Sequence, residues 1–170
     1  MLVTNITAYT PWKPIVNGIT GTNHDYVRFS LTCGQSVTFN VTLVDSATMG
    51  KVAVPRFRLT IADIDEGIDG RCSESIIVTG YESFELAPGT ELTTETTPAG
   101  LLIKSGSRGS GADNPSNIYL SGVQKARAVQ YIIAGTNTFT LTYKTSANAA
   151  GEVGYAGREI YMSGAVPALR

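Results

Sequence analysis

"VRFSLTCGQSVTFNVTL", residues 27–43, alternates apolar and polar side chains twice over. Val27, Phe29, Leu31 and Cys33 share one parity against Arg28, Ser30 and Thr32. Val37, Phe39, Val41 and Leu43 then share one against Thr38, Asn40 and Thr42. A period of two sends alternate side chains to opposite faces of an extended chain, so each segment is expected to be a half-buried β-strand. Similar patterns fall at 56–63, 74–79, 81–87, 100–104, 128–134, 137–144 and 158–163, with weaker ones near 2–9 and 91–96. Turn signals such as Pro88-Gly89, Pro98-Ala99-Gly100 and Gly135-Thr136-Asn137 separate them. "SGVQKARA", 121–128, contains good helix formers but serves equally as the entry to the strand "AVQYIIAG". With no alternation of strands and long helices, the expected fold is all-β: one antiparallel two-sheet sandwich over 1–170, jelly-roll-like, with about nine to eleven strands.

Composition narrows the function classes. Thirteen basic residues face fourteen acidic ones for a net charge of −1, and the basic residues are scattered rather than gathered in a stripe. Nucleic acid is therefore not an expected partner. No stretch approaches the 18 or more apolar residues of a membrane span, so membrane insertion is not expected either. The start "MLVTNITAYTPW" lacks the charged and apolar regions of a signal peptide, which suits a processed form or an excised domain. Charged residues make up 16%, and Thr, Ser and Gly are abundant, a balance suited to a hydroxyl-rich β surface.

Cys33 and Cys72 are too few for a zinc cluster and are expected to form a disulfide, which places the protein outside the cell or at its surface. Closing a loop of about 40 residues would contribute roughly 3–4 kcal/mol in the chain-entropy account. Asn5-Ile6-Thr7 and Asn40-Val41-Thr42 are glycosylation sequons, making Asn5 and Asn40 candidate acceptors.

"TIADIDEGIDGRCSE", 60–74, crowds Asp63, Asp65, Glu66, Asp69 and Glu74 at a strand end. Continuing the parity of Phe57, Leu59 and Ile61 puts Asp63 and Asp65 on the core-facing side, where an uncompensated carboxylate costs several kcal/mol. Arg71 and Arg108 are candidate partners, but five acids exceed what the local bases offset, and a hard cation with oxygen ligands is the simpler solution. The spacing does not fit an EF-hand: Gly67 and Ile68 follow where Asp or Asn and then Gly are needed. A two-loop Ca2+ site is expected instead, using Asp63, Asp65, Glu66 and Asp69, completed by Asp113 and Asn114 of "GADNP" in the long Gly/Ser-rich loop 104–117. The competing reading is a solvated acidic turn.

"FRLTIADIDEGIDG", "GSGADNP" and "GREIYMSGA" resemble secreted calcium-binding β-sandwich modules of adhesion or carbohydrate recognition, in which a D-x-D at a strand end is completed by a distant Asp/Asn loop. The resemblance implies metal ligation by Asp63 and Asp65, with Asp113 or Asn114 contributing, and implies no substrate. Among the aromatics, Trp12 in "YTPWKP", Tyr119, Tyr155 and Tyr26 are candidates for stacking a sugar, Trp12 otherwise plugging one end of the sandwich. His24 is the sole histidine and no nucleophile motif accompanies it, so no catalytic residue is expected. The expected function is an extracellular calcium-binding recognition or adhesion module for a glycan or a partner protein. A structural subunit that self-associates into a fibre, coat or surface layer is the alternative. A glycan-active enzyme or its accessory domain is third.

Overall fold

The structure, a computed structural model, describes residues 1–147, 156–164 and 168–169. The described strands are β1 (Leu2–Asn5), β2 (Gly18–Thr20), β3 (Tyr26–Thr32), β4 (Ser36–Thr42), β5 (Val54–Ala62), β6 (Glu74–Thr79), β7 (Ser83–Leu86), β8 (Thr93–Thr97), β9 (Gly100–Lys104), β10 (Val129–Thr136), β11 (Thr138–Thr145) and β12 (Gly157–Ser163). A 3-10 turn lies at Pro14–Val16, and one short helix, α1 (Gly122–Ala126), starts at Ser121, whose hydroxyl accepts from the Gln124 backbone while the Gln124 side chain accepts from the Ser121 backbone. Residues 121–128 are thus a capped helix leading into β10, so both expectations for that segment hold in sequence. β2, only three residues long, carries too little alternation to stand out, and the strands total twelve rather than about nine to eleven.

Two six-stranded antiparallel sheets pack face to face. The first runs β1-β4-β11-β6-β9-β8 and the second β2-β3-β12-β5-β10-β7. β3 pairs with β12, β4 with β11, β5 with β10 and β6 with β9. The chain is therefore one long hairpin, β3–β6 against β9–β12, whose paired arms pass from one sheet to the other as they wind. That winding is a jelly roll. The alternation that marks the strands also fills the core: Val37, Phe39, Val41, Phe139 and Leu141 from the first sheet meet Phe29, Leu31, Leu59, Ile61, Ile133 and Ile160 from the second, all buried.

The outer faces differ. On the first sheet Thr38 and Thr142 lie hydroxyl to hydroxyl at 3.0 Å, and Thr79 and Thr140 at 2.6 Å. Half-buried Asn40 shares this face, accepting from Thr138 Oγ1 at 3.0 Å, whereas Asn5 is exposed on the edge strand β1. The second sheet is partly covered. Residues 9–17 cross it, with Tyr9 Oη donating to Ser30 O (2.8 Å) and Asn17 Oδ1 accepting from Ser30 N (2.7 Å), and a small second core of Tyr26, Ala62, Leu120, Ala128, Tyr161 and Leu169 covers another part, while Arg56 and Arg58 of β5 stay exposed.

Cys33 and Cys72 form the expected disulfide, with Cα atoms 5.4 Å apart, tying the end of β3 to the loop that carries the acids. Disulfides belong to oxidising compartments. No helix among the described residues is long and apolar enough to cross a membrane.

Candidate metal centre

β5 stops at Ala62, and Asp63 takes a left-handed conformation (φ 69°), which Asp tolerates better than most residues. The alternation expected to run through Asp63 therefore breaks there, and Ile64 also turns into the core. Beyond the break the backbone is threaded between remote segments: Ile64 N donates to Arg127 O (3.1 Å), Glu66 N to Ser107 O (2.9 Å), Gly109 N to Glu66 O (2.8 Å) and Glu74 N to Asp65 O (3.1 Å). The long loop is pinned over the strand end by main-chain bonds.

This threading brings Asp63, Asp65 and Asp113 together, one carboxylate oxygen from each lying within 4.8 Å of the others. Asp63 is 5% exposed and Asp65 is fully buried. Glu74, on the inward parity of Ile76 and Val78, closes the group from the first sheet: its Oε2 accepts from Asp65 N (3.0 Å) and its Oε1 from Tyr143 Oη. Two arginines complete it. Arg158, on the inward parity of Ile160 and Met162, ion-pairs Asp65 and lies 3.8 Å from Glu74 Oε2. Arg127 ion-pairs Asp113, lies 3.7 Å from Asp65 Oδ2 and bonds Glu91 at 2.9 Å. Gly109 lies directly over Asp65; a Cβ there would sit 1.4 Å from Oδ2, so only glycine fits.

The electrostatics are those of an under-compensated interior site. Four carboxyls, Asp63, Asp65, Glu74 and Asp113, face two guanidiniums, an excess of two negative charges if all are ionised. Burial, more than any neighbour, pushes Asp63 up to about 7, with Asp113 and Glu159 adding repulsion against the pull of Arg158 and Arg127. Burial likewise holds Glu74 well above the usual carboxylate range, with Asp63 adding repulsion. Asp65 has both oxygens buried, and neither receives a hydrogen bond despite the nearby guanidiniums. With Arg158 on Oδ1 and no donor closer than 3.7 Å to Oδ2, a group of hard oxygen donors such as this fits a divalent cation.

The residues expected at the site divide. Asp63, Asp65 and Asp113 converge. Asn114 adjoins them, one end of its amide 3.2 Å from Asp63 Oδ2 and the other 3.0 Å from Tyr161 Oη. Glu66 and Asp69 stand outside the group: Glu66 accepts from Ser73 Oγ (3.2 Å), and Asp69 pairs with Arg71 (3.1 Å) on the surface. Arg71 and Arg108 are not the counter-ions, Arg108 lying instead against Gly70. Arg127, Arg158 and Glu74's inward placement had no local signal in the sequence beyond the inward parity of 158, 160 and 162.

A cleft of about 390 Å3 opens beside Asp63, where residues 12–16 cross the second sheet. Trp12 lines it, seated against Gly157, where a Cβ would come within 2.1 Å of the indole. Tyr119 is 78% exposed and does not line the cleft, Tyr26 is buried with its hydroxyl on Asn117 O (2.9 Å), and Tyr155 lies outside the described residues.

Fold and site define a disulfide-bonded jelly-roll sandwich with a buried acidic group able to hold a metal ion at one end of its core. No protein-family model matches the chain, and no curated protein matches it either.

Proposed function

We propose that this protein is an extracellular recognition or adhesion module that binds Ca2+ through Asp63, Asp65 and Asp113 and engages a glycan or a partner protein beside that ion. The observation that carries the reading is the convergence of Asp63, Asp113 and the fully buried Asp65, whose Oδ2 has no donor closer than Arg127 at 3.7 Å, in a group where carboxyls outnumber guanidiniums. A divalent cation supplies the missing charge, and a donor set made of oxygens, with its cysteines locked in a disulfide, favours calcium over zinc. Bound there, the ion would hold the 104–117 loop and the end of β5 in one arrangement beside the cleft.

Calorimetry on chelator-stripped protein tests this. Ca2+ should give a saturable isotherm that disappears in Asp63→Asn plus Asp113→Asn, and because Asp63 must lose its proton, affinity should weaken as pH falls below about 7. A flat trace for the unmutated protein removes the metal and leaves an internal ion-pair network, a reading favoured by the closeness of Arg127 and Arg158 to the same carboxylates. The structural-subunit reading has one observation of its own, the hydroxyl-lined outer face of the first sheet with its edge strands β1 and β8. Sedimentation across a concentration series checks it: particles larger than a monomer support assembly.

A further inference from the structure

The cleft beside Asp63 contains groups that the metal centre does not use. Lys13 is exposed at its rim, stands in no ion pair with any described residue, and holds its ammonium 5.9 Å from the centroid of the Trp12 ring. Arg28 lies deeper, anchored by Nε to Val16 O (2.8 Å), with Nη1 3.4 Å from Glu159 Oε2. Arg158 also lines the cleft but is already paired with Asp65, so Lys13 and Arg28 are the cations left to meet an occupant, across from Asp63 and Glu159. Trp12 contributes a half-exposed flat apolar surface, fixed in place by the missing side chain at Gly157. At about 390 Å3 the cleft lies at the small end of the range, about 300–1,000 Å3, usual for small-molecule sites.

Each group asks something different of an occupant. The unpaired ammonium and the weakly paired guanidinium call for an anionic group, which charge-assisted hydrogen bonds would hold. The indole calls for an apolar face. The carboxylates call for hydroxyl donors. A neutral sugar leaves the cations unmet, and a simple anion leaves the indole and the carboxylates unmet. We propose that this cleft binds an acidic sugar unit, a pyranose bearing a carboxylate or a sulfate, with Lys13 and Arg28 on its charge, Trp12 against its C–H face, and Asp63 and Glu159 on its hydroxyls. The proposal rests on the glycan-recognition reading above and names its ligand class.

Trp12 is the only tryptophan, so its fluorescence follows binding directly. The full chain in Ca2+ is titrated with trigalacturonate, with a sulfated galactotriose, and with neutral galactotriose. The same titrations are run on Lys13→Glu and on Lys51→Glu, the second reversing an exposed charge that does not line the cleft. Saturable binding of the carboxylated or the sulfated sugar, at least about tenfold tighter than the neutral one and weakened about tenfold or more by Lys13→Glu but not by Lys51→Glu, supports the proposal. Which acidic sugar binds identifies the anion. Equal affinity for neutral and acidic sugars, equal losses in both variants, or no saturation by any sugar at millimolar concentration overturns it. Calcium calorimetry separates the two claims: a Ca2+ isotherm without sugar binding removes this proposal alone, whereas acidic-sugar binding without a Ca2+ isotherm removes the metal reading alone.

Discussion

The outer faces of the two sheets are built from the same alternating pattern and meet opposite fates. On the first sheet outward threonines of β4, β6 and β11 and Asn40 bond one another across strands, beside Ile77 and the surface pair Lys104–Glu95. On the second, part of the outward surface is overlaid by residues 9–17 and by the second core, so Ser30 and Thr60 are fully buried and bonded within the protein, while Arg56 and Arg58 farther along β5 stay exposed. Neutral hydroxyls in water are cheap to place and to replace. Charged groups under a cover are neither, and the candidate site lies along the covered side, where the interior end of the sandwich meets the cleft.

Substitutions should expose that difference. The largest effect is expected from Arg158→Ala, which leaves Asp65 buried without its main partner. Breaking one side of a buried pair costs roughly 3–5 kcal/mol. Urea unfolding of the metal-free protein should show a loss of that order, and the loss should shrink when Ca2+ is added, since the ion replaces the deleted charge. An equal loss with and without Ca2+ would mean that no cation enters the group.

The next effect is a pH dependence located in the buried acidic group. Asp63 is held at about 7 in the folded protein against 3.8 ordinarily, so between these values the folded state keeps a proton that the unfolded chain has released. That protonated carboxyl stabilises fully below about 4, and the contribution is lost as pH rises through about 7, a change of about 4 kcal/mol at most. Glu74 acts in the same direction. Denaturant midpoints of metal-free protein should therefore fall between pH 5 and pH 8, the slope should flatten in Asp63→Asn with Glu74 supplying what remains, and saturating Ca2+ should reverse it.

The smallest effect belongs to the exposed face. Thr140→Val removes the 2.6 Å contact with Thr79 on a surface open to solvent, and its cost should stay below about 1 kcal/mol, independent of Ca2+ and of pH over the same range. A loss comparable to that of Arg158→Ala would show that the hydroxyl face is itself structural, and would favour the assembly reading.

Much of the fold was legible because strand periodicity is a local property. Val27, Phe29 and Leu31 declare their face within a few residues, as do Phe139, Leu141 and Tyr143. The crowding of acids after Ile61 and the possibility of a Cys33–Cys72 bond were legible for the same reason: they needed only residue types and spacing. The site was legible in part. Asp63, Asp65 and Asp113 were named from the sequence, but the parity that suggested the first two ends at Asp63, whose left-handed backbone no alternation rule foresees. Glu66 and Asp69 look identical to them in composition and point elsewhere, since two or three residues beyond a strand end the chain has turned away.

What sequence alone determined, then, is which residues form strands, which face each prefers, that two cysteines were free to join, and that a surplus of carboxylates gathers at one strand end. The tertiary structure decided which of those carboxylates meet, that Glu74 joins them from the other sheet, that Arg127 and Arg158 rather than Arg71 and Arg108 answer them, and that part of one outer face is covered. Periodicity follows from the geometry of consecutive peptides, whereas Coulomb interaction and desolvation depend on distance through space, and the winding of the jelly roll sets those distances between segments far apart in the chain.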